Sequence, residues 1–207
     1  MMANMFGETV ASVRELEEIV GLPSKLASNK VITIIDEHCK AFIAHSPFLM
    51  IATSSKSGSD VSPRGDAPGF IQILDEKHLL IPERPGNKRM DSIMNLLENP
   101  RIGLLLIIPG REETLRINGK AVIVKEKRLL ERCAVNEKVP LLGIGIEVDE
   151  CFIHCAKSFK RSHLWEQERW PHTDGLAPAS KILADHAGIS NPTVSRSLEE
   201  SYNQRLY

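Results

Sequence analysis

The feature that most constrains this chain is a procession of short apolar runs between residues 48 and 154, each closed by turn-forming residues. Phe48–Thr53 runs into SSKSGSD, Gly69–Leu74 into DEKH, and Arg101–Ile108 into Pro109-Gly110; Leu79–Pro82, Thr114–Lys125 and Leu142–His154 complete the set. Runs of this length between Gly, Pro, Asp and Ser read as strands and tight turns. The internal helices fall at the segment opening with Asn87 and at Glu126–Asn136, with no alternating strand–helix rhythm. The strands must therefore pair with antiparallel neighbours and close into a barrel. Arg101–Ile108 is almost continuously apolar, which predicts a strand covered on both faces.

Helical periodicity flanks this region. VASVRELEEIV (10–20) stops at Gly21 and Pro23, and a second helix is predicted over Val31–His45, ended by Ser46-Pro47. From Lys157 the chain is again helical and polar. The expected fold is α+β, mainly β: one domain with N-terminal helices in 1–46, a barrel in 47–156 and a helical extension in 157–207.

A formal net charge of −1 supplies no global attraction to nucleic acid or to an anionic membrane. The longest apolar run, Ile102–Pro109, is too short to span a bilayer, and the first twenty residues lack the basic-then-apolar order of a signal peptide. A cytoplasmic protein is expected, its four cysteines reduced. The spacing of CFIHC (151–155) is wrong for a zinc knuckle, so no metal site is expected there.

Against this balanced background, positive charge gathers at residues 84–89. The stretch 61–100 reads as strand, turn, strand and then a helix whose first turn carries Asn87, Lys88 and Arg89, with Arg84 just upstream. A helix start offers unpaired N–H groups and the positive end of the macrodipole, so this segment reads as a phosphate anchor. The alternative is a solvated helix beginning with two surface bases. In SPRGD (62–66) Pro63 and Gly65 fix a bend that aims Arg64, either at a ligand or into a local ion pair with Asp66. In LRINGKA (115–121) alternation puts Arg116 and Asn118 on one face, with Gly119 as a bulge or a close backbone approach. Lys157, Arg161, His163 and Trp165 form a second basic cluster, read either as part of a site or as a solvated helix face.

SPFLMIAT, DVSPRGDAPGF, IPERPGNKRMDS, NLLENPRIGLL, LRINGKA and FIHCAKSFKRSHLW, in this order, resemble a subgroup of the pyridoxamine 5′-phosphate oxidase-like FMN-binding proteins across roughly residues 10–170. The resemblance implies a split β-barrel homodimer with FMN between subunits. It implies phosphate contacts from Asn87, Lys88 and Arg89, a strand arginine in Arg64, and a flavin-flanking position for Arg84. Trp165 and Arg161 correspond to the tryptophan and arginine that hold flavin or substrate in the true oxidases. The expected cofactor-binding set is Arg64, Gly65, Arg84, Asn87, Lys88, Arg89, Arg116, Lys157, Arg161 and Trp165. The oxidases' C-terminal Arg-Leu-His-Asp run is absent, so the cofactor carries over and the reaction does not. The implied function is that of an FMN-dependent oxidoreductase acting on an unassigned small molecule. The alternatives are a non-catalytic flavin-binding or redox-sensing protein, or a module for another phosphorylated cofactor or haem, with His154 or His163 as axial candidates.

Overall fold

A computed structural model describes residues 3–207. The chain forms two compact units, one up to Val31 and one from Ile32 to Tyr207. The first holds three short helices, α1 (Ala3–Phe6), α2 (Val13–Val20) and α3 (Lys25–Asn29). Ser12 and Ser24 cap α2 and α3 by accepting from Glu15 N and Ala27 N. Neither α2 nor α3 buries a residue.

The second unit begins with a correction. The predicted helix over Val31–His45 is present only as α4, Glu37–His45, capped by Asp36, whose side chain accepts from Cys39 N. Upstream, Ile32 forms a β-bridge with Cys151, through Ile32 N to Cys151 O at 3.1 Å and Cys151 N to Ile32 O at 2.8 Å. Val31-Ile32-Thr33-Ile34-Ile35 is a β-branched run, which suits extended backbone better than helix.

The strands are β1 (Phe48–Ser54), β2 (Ser59–Gly65), β3 (Gln72–Ile73), β4 (His78–Glu83), β5 (Arg101–Ile107), β6 (Thr114–Val124) and β7 (Leu142–His154). They form one antiparallel sheet in the order β2-β1-β5-β6-β7-β4-β3. This is the split-barrel fold. Helix α5 (Asp91–Glu98) lies between β4 and β5 in sequence, α6 (Lys127–Leu130) between β6 and β7, and α7 (Lys157–Ser162), α8 (Ala179–Ala187) and α9 (Asn191–Gln204) follow the sheet.

Alternation decides which face is core. Leu49 and Ile51 of β1, Leu104 and Leu106 of β5, Leu115 and Ile117 of β6 and Ile144 and Ile146 of β7 are buried together with Ile35, Phe42 and Ile43 from the α4 region. Strand β5 alternates buried with half-buried residues, so its second face is not sealed as its apolar run predicts. The strand read at Gly69–Leu74 shrinks to the two residues of β3, which pair only with Leu79 and Leu80. Among the described residues, no helix is long and apolar enough to cross a membrane.

Gly119 is the bulge: the β6–β7 register slips between Asn118 and Gly119. A Cβ at this position would sit 2.1 Å from the Glu147 carbonyl oxygen, so the Glu147 backbone makes the close approach at this glycine. Gly119→Ala should lower stability by about 2–3 kcal/mol, as overpacking against main chain does, measured by urea unfolding. Unchanged stability would mean that β6 and β7 part more easily than this contact implies.

Candidate functional site

Two crossed ion pairs organise the rim of the barrel. Arg64, on β2, donates from Nε to Glu83 Oε2 at 3.0 Å, and from Nη1 to Ser62 Oγ and the Pro63 carbonyl. Arg84, just past β4, donates from Nε to Asp66 Oδ2 at 2.6 Å and from Nη1 to the Cys133 carbonyl at 2.8 Å. All four side chains are largely buried, Asp66 to 2% exposure. The local Arg64–Asp66 pair open from sequence is thus replaced by partners across the split between β2 and β4.

Tyr207 completes this cluster. Its hydroxyl donates to Asp66 Oδ1 at 2.7 Å, and the Arg84 guanidinium lies 5.6 Å from its ring centroid. Burial pushes the Asp66 carboxyl up. The Tyr207 O–H, the Ala67 N–H and Arg84 outweigh it and hold the carboxyl below its ordinary value. The hydrogen bond to that carboxylate, followed by burial, pushes the Tyr207 phenol up.

Asn87, Lys88 and Arg89 lie in the loop before α5, not in its first turn: the helix starts at Asp91 with Met90 at the N-cap. Lys88 and Met90 both take left-handed backbone, at φ 62° and 59°, and no side chain caps the helix. Non-glycine residues held there store backbone strain, which gathers at binding and switch sites. Asn87 Oδ1 accepts from Arg89 N, and Arg89 Nε pairs with Asp91 Oδ2. Among the described residues Lys88 has no hydrogen bond or ion pair, and its ammonium is uncompensated. Helix α5 is pinned to the sheet by Ser92, which donates to Asp60 and shares a hydrogen bond with Ser62, and by Asn95, which donates to Thr53. One chain of contacts therefore runs from the start of α5 through Ser62 to Arg64 and Glu83.

The other expected residues stand apart within one chain. Cross-strand pairing puts Arg64 with Leu49 and Leu106 on the core-facing side, and Arg116 with Met50 and Leu105 on the outer side. Arg116 lies over Phe152 and lines an open depression of ≈610 Å³ with Arg101, Asn118, Asp149 and Glu150. Gly65 ends β2, where a Cβ would come 3.3 Å from the Pro47 carbonyl. Lys157 and Arg161 lie on α7, which is held to the β5–β6 turn by Lys160–Glu112 and by Trp165 Nε1 donating to the Arg111 carbonyl. His163 faces Glu166 and Arg169 with its two ring nitrogens. Cys151 contacts Cys39 in the core, and no cluster of three His, Cys, Asp or Glu among the described residues could hold a metal ion.

Sequence reasoning missed Glu83, Ser92 and Tyr207. A charge ending an apolar strand was a signal for Glu83; nothing local could have joined Tyr207 to Asp66, 141 residues away.

A family model described as pyridoxamine 5′-phosphate oxidase matches residues 35–152. No curated protein matches the chain. Among solved structures, HupZ of Group A Streptococcus is 21% identical, with 57% of this chain and 93% of that chain covered and a TM-score of 0.47. General Stress Protein 26 of Bacillus anthracis is 15% identical, with 55% and 88% covered and a TM-score of 0.43. An FMN-binding protein of Syntrophomonas wolfei is 10% identical, with 55% and 81% covered and a TM-score of 0.43.

Two outcomes follow from the rim. Arg64→Ala strands Glu83 in a largely buried place and should cost about 3 kcal/mol, while the Arg64→Ala/Glu83→Ala double variant should recover much of that in urea unfolding. Asp66 has a depressed pKa in the fold, so its contribution is present above the unfolded carboxyl value near ~4 and is lost as pH falls through the folded value. The Tyr207 phenol is raised, so its contribution is full below about 10 and is lost as pH rises through its folded value. Melting temperature against pH should show a shallower acid limb in Asp66→Asn; an identical limb would remove Asp66 from the linkage.

Proposed function

Because the chain belongs to the pyridoxamine 5′-phosphate oxidase family, we propose that it is an FMN-binding flavoprotein, working as an FMN-dependent oxidoreductase on a small-molecule substrate. The observation that carries the cofactor reading is the donor set before α5. Asn87, Lys88 and Arg89 precede an N-terminus with no side-chain cap, so an amide, two cations and free backbone N–H groups adjoin one another. That chemistry fits a phosphate ester: Arg supplies a planar fork, Lys a point charge and the helix start oriented N–H donors. Lys88 is the cation with no carboxylate to give up; Arg89 must exchange Asp91 for the phosphate. Arg64 and Arg84 already hold Glu83 and Asp66, and in this reading they build the wall behind the anchor.

FMN, when bound, supplies the electron-transfer chemistry, and the protein supplies position, exclusion of water and charge. The chain's own contribution is a rigid rim: Ser92 and Ser62 fix where α5 begins, and Gly65 lets β2 pass close to Pro47. The second set falls on the outer sheet face (Arg116) and on α7 and the residues after it (Lys157, Arg161 and Trp165), beside the β5–β6 turn. That separation supports a homodimer in which one subunit brings the anchor and the other brings the second set to a shared cleft.

The visible spectrum of protein purified without added cofactor, with mass analysis of what heat releases, tests the reading directly. Flavin bands and an FMN mass support it; a colourless protein that ignores added FMN overturns it. In Lys88→Ala/Arg89→Ala, FMN affinity should fall by about 1–3 kcal/mol per lost charge-assisted contact, followed by flavin fluorescence. Unchanged affinity would remove the anchor assignment.

A further inference from the structure

Tyr207 does more than decorate the rim. Arg84 spends its Nε on Asp66 and its Nη1 on the Cys133 carbonyl, which leaves the flat face of the guanidinium. The Tyr207 ring covers that face, and its hydroxyl takes the Asp66 oxygen that Arg84 does not use. Lys138 Nζ adds a hydrogen bond to the Tyr207 carbonyl at 2.9 Å. Behind these contacts the attachment is thin. Helix α9 buries none of its residues, and Arg205 and Leu206 are exposed. The segment 205–207 is thus held down on the rim by one aromatic side chain and one carbonyl.

A guanidinium face and a carboxylate oxygen side by side recognise a planar ring with a polar edge. Here a side chain of the same protein fills that place.

We propose that residues 205–207 form a strap in which Tyr207 covers the Asp66–Arg84 pair in cis and must lift before a planar, phosphate-bearing ligand can enter beside the anchor at 87–89. The assignment of the ligand rests on the flavin reading above; the cover itself does not. One hydrogen bond to a carboxylate and one cation–π contact make such a strap reversible, since each shifts an equilibrium by about 10-fold. Closed, it keeps the buried ion pair from water and from adventitious anions. Open, it exposes the face of Arg84.

The test compares wild type, Tyr207→Phe and Tyr207→Ala, each first checked for a cooperative melting transition well above the assay temperature. The cofactor-free readout is the rate at which phenylglyoxal, an arginine reagent, modifies Arg84, followed by peptide mass analysis. Tyr207→Ala should raise that rate by about 10-fold, with Tyr207→Phe in between because it keeps the ring and loses the hydroxyl. The second readout is the association rate of FMN with cofactor-stripped protein, which should rise in the same order. Equal Arg84 modification in all three proteins overturns the strap. Faster modification with equal FMN association overturns its role as a gate. Should no variant bind FMN, the flavin reading falls, and the Arg84 rates alone decide whether Tyr207 is a cover.

Discussion

The barrel depends on how its open seam is held. Strand β2 lies at one edge of the sheet, and at the other β3 pairs only with Leu79 and Leu80, which leaves the end of β4 without a ladder partner on that side. No backbone hydrogen bonds join β2 to β4. Side chains do it instead, through Arg64–Glu83 and Arg84–Asp66. Largely buried pairs of this kind add little net stability over apolar packing, because both ions must leave water. Their value lies in alignment. The order of charge is positive then negative at 64 and 66, and negative then positive at 83 and 84. Sliding one strand end past the other would bring like charges together in a dry place, so the seam accepts one register.

That register then fixes helix α5. Ser62 sits on β2 two residues before Arg64, receives a hydrogen bond from Arg64 Nη1, and shares another with Ser92 in the first turn of the helix. Asp60, two residues earlier on the same face, accepts from Ser92 as well. The start of α5 is therefore located by the edge strand and not by its own capping residue, since Met90 supplies no cap. A helix placed from outside has no need to bond its first N–H groups internally. The same contacts that close the barrel leave those donors for another acceptor.

Much of the sheet was legible because alternation and turn residues are local properties: β1, β4, β5, β6 and β7 fall close to where the apolar runs put them. The errors have physical causes. Val31–Ile35 has enough apolar residues to fit a helical period, but five β-branched side chains in a row favour the extended pairing with Cys151. Lys88 and Met90 were read into a helix because nothing in their identity announces left-handed backbone; surrounding structure imposes it. The partner of Arg64 was sought two residues away, while Glu83 lies 19 residues on and meets it only when the sheet curls. Gly119 was legible as a bulge and illegible as to what approaches it, since the Glu147 carbonyl belongs to another strand.

The charges of the rim also differ in how firmly they are held. Arg64, Arg84 and Arg89 are ion-paired with Glu83, Asp66 and Asp91, and Lys88 is the cation of this set without an ion pair. The two arginines that close the seam lie largely buried with carboxylates of their own, and an anion drawn to them would have to displace a partner in a low-dielectric place. An anion drawn to Lys88 displaces nothing and meets the uncapped helix start on arrival. Arg89 lies between these cases: its pair with Asp91 is exposed and weak, so it can turn to a ligand at small expense. The sequence motif IPERPGNKR thus divides its cations by burial, Arg84 held in a largely buried pair with Asp66 and Arg89 in an exposed one with Asp91. Pro85-Gly86 marks the boundary between the two.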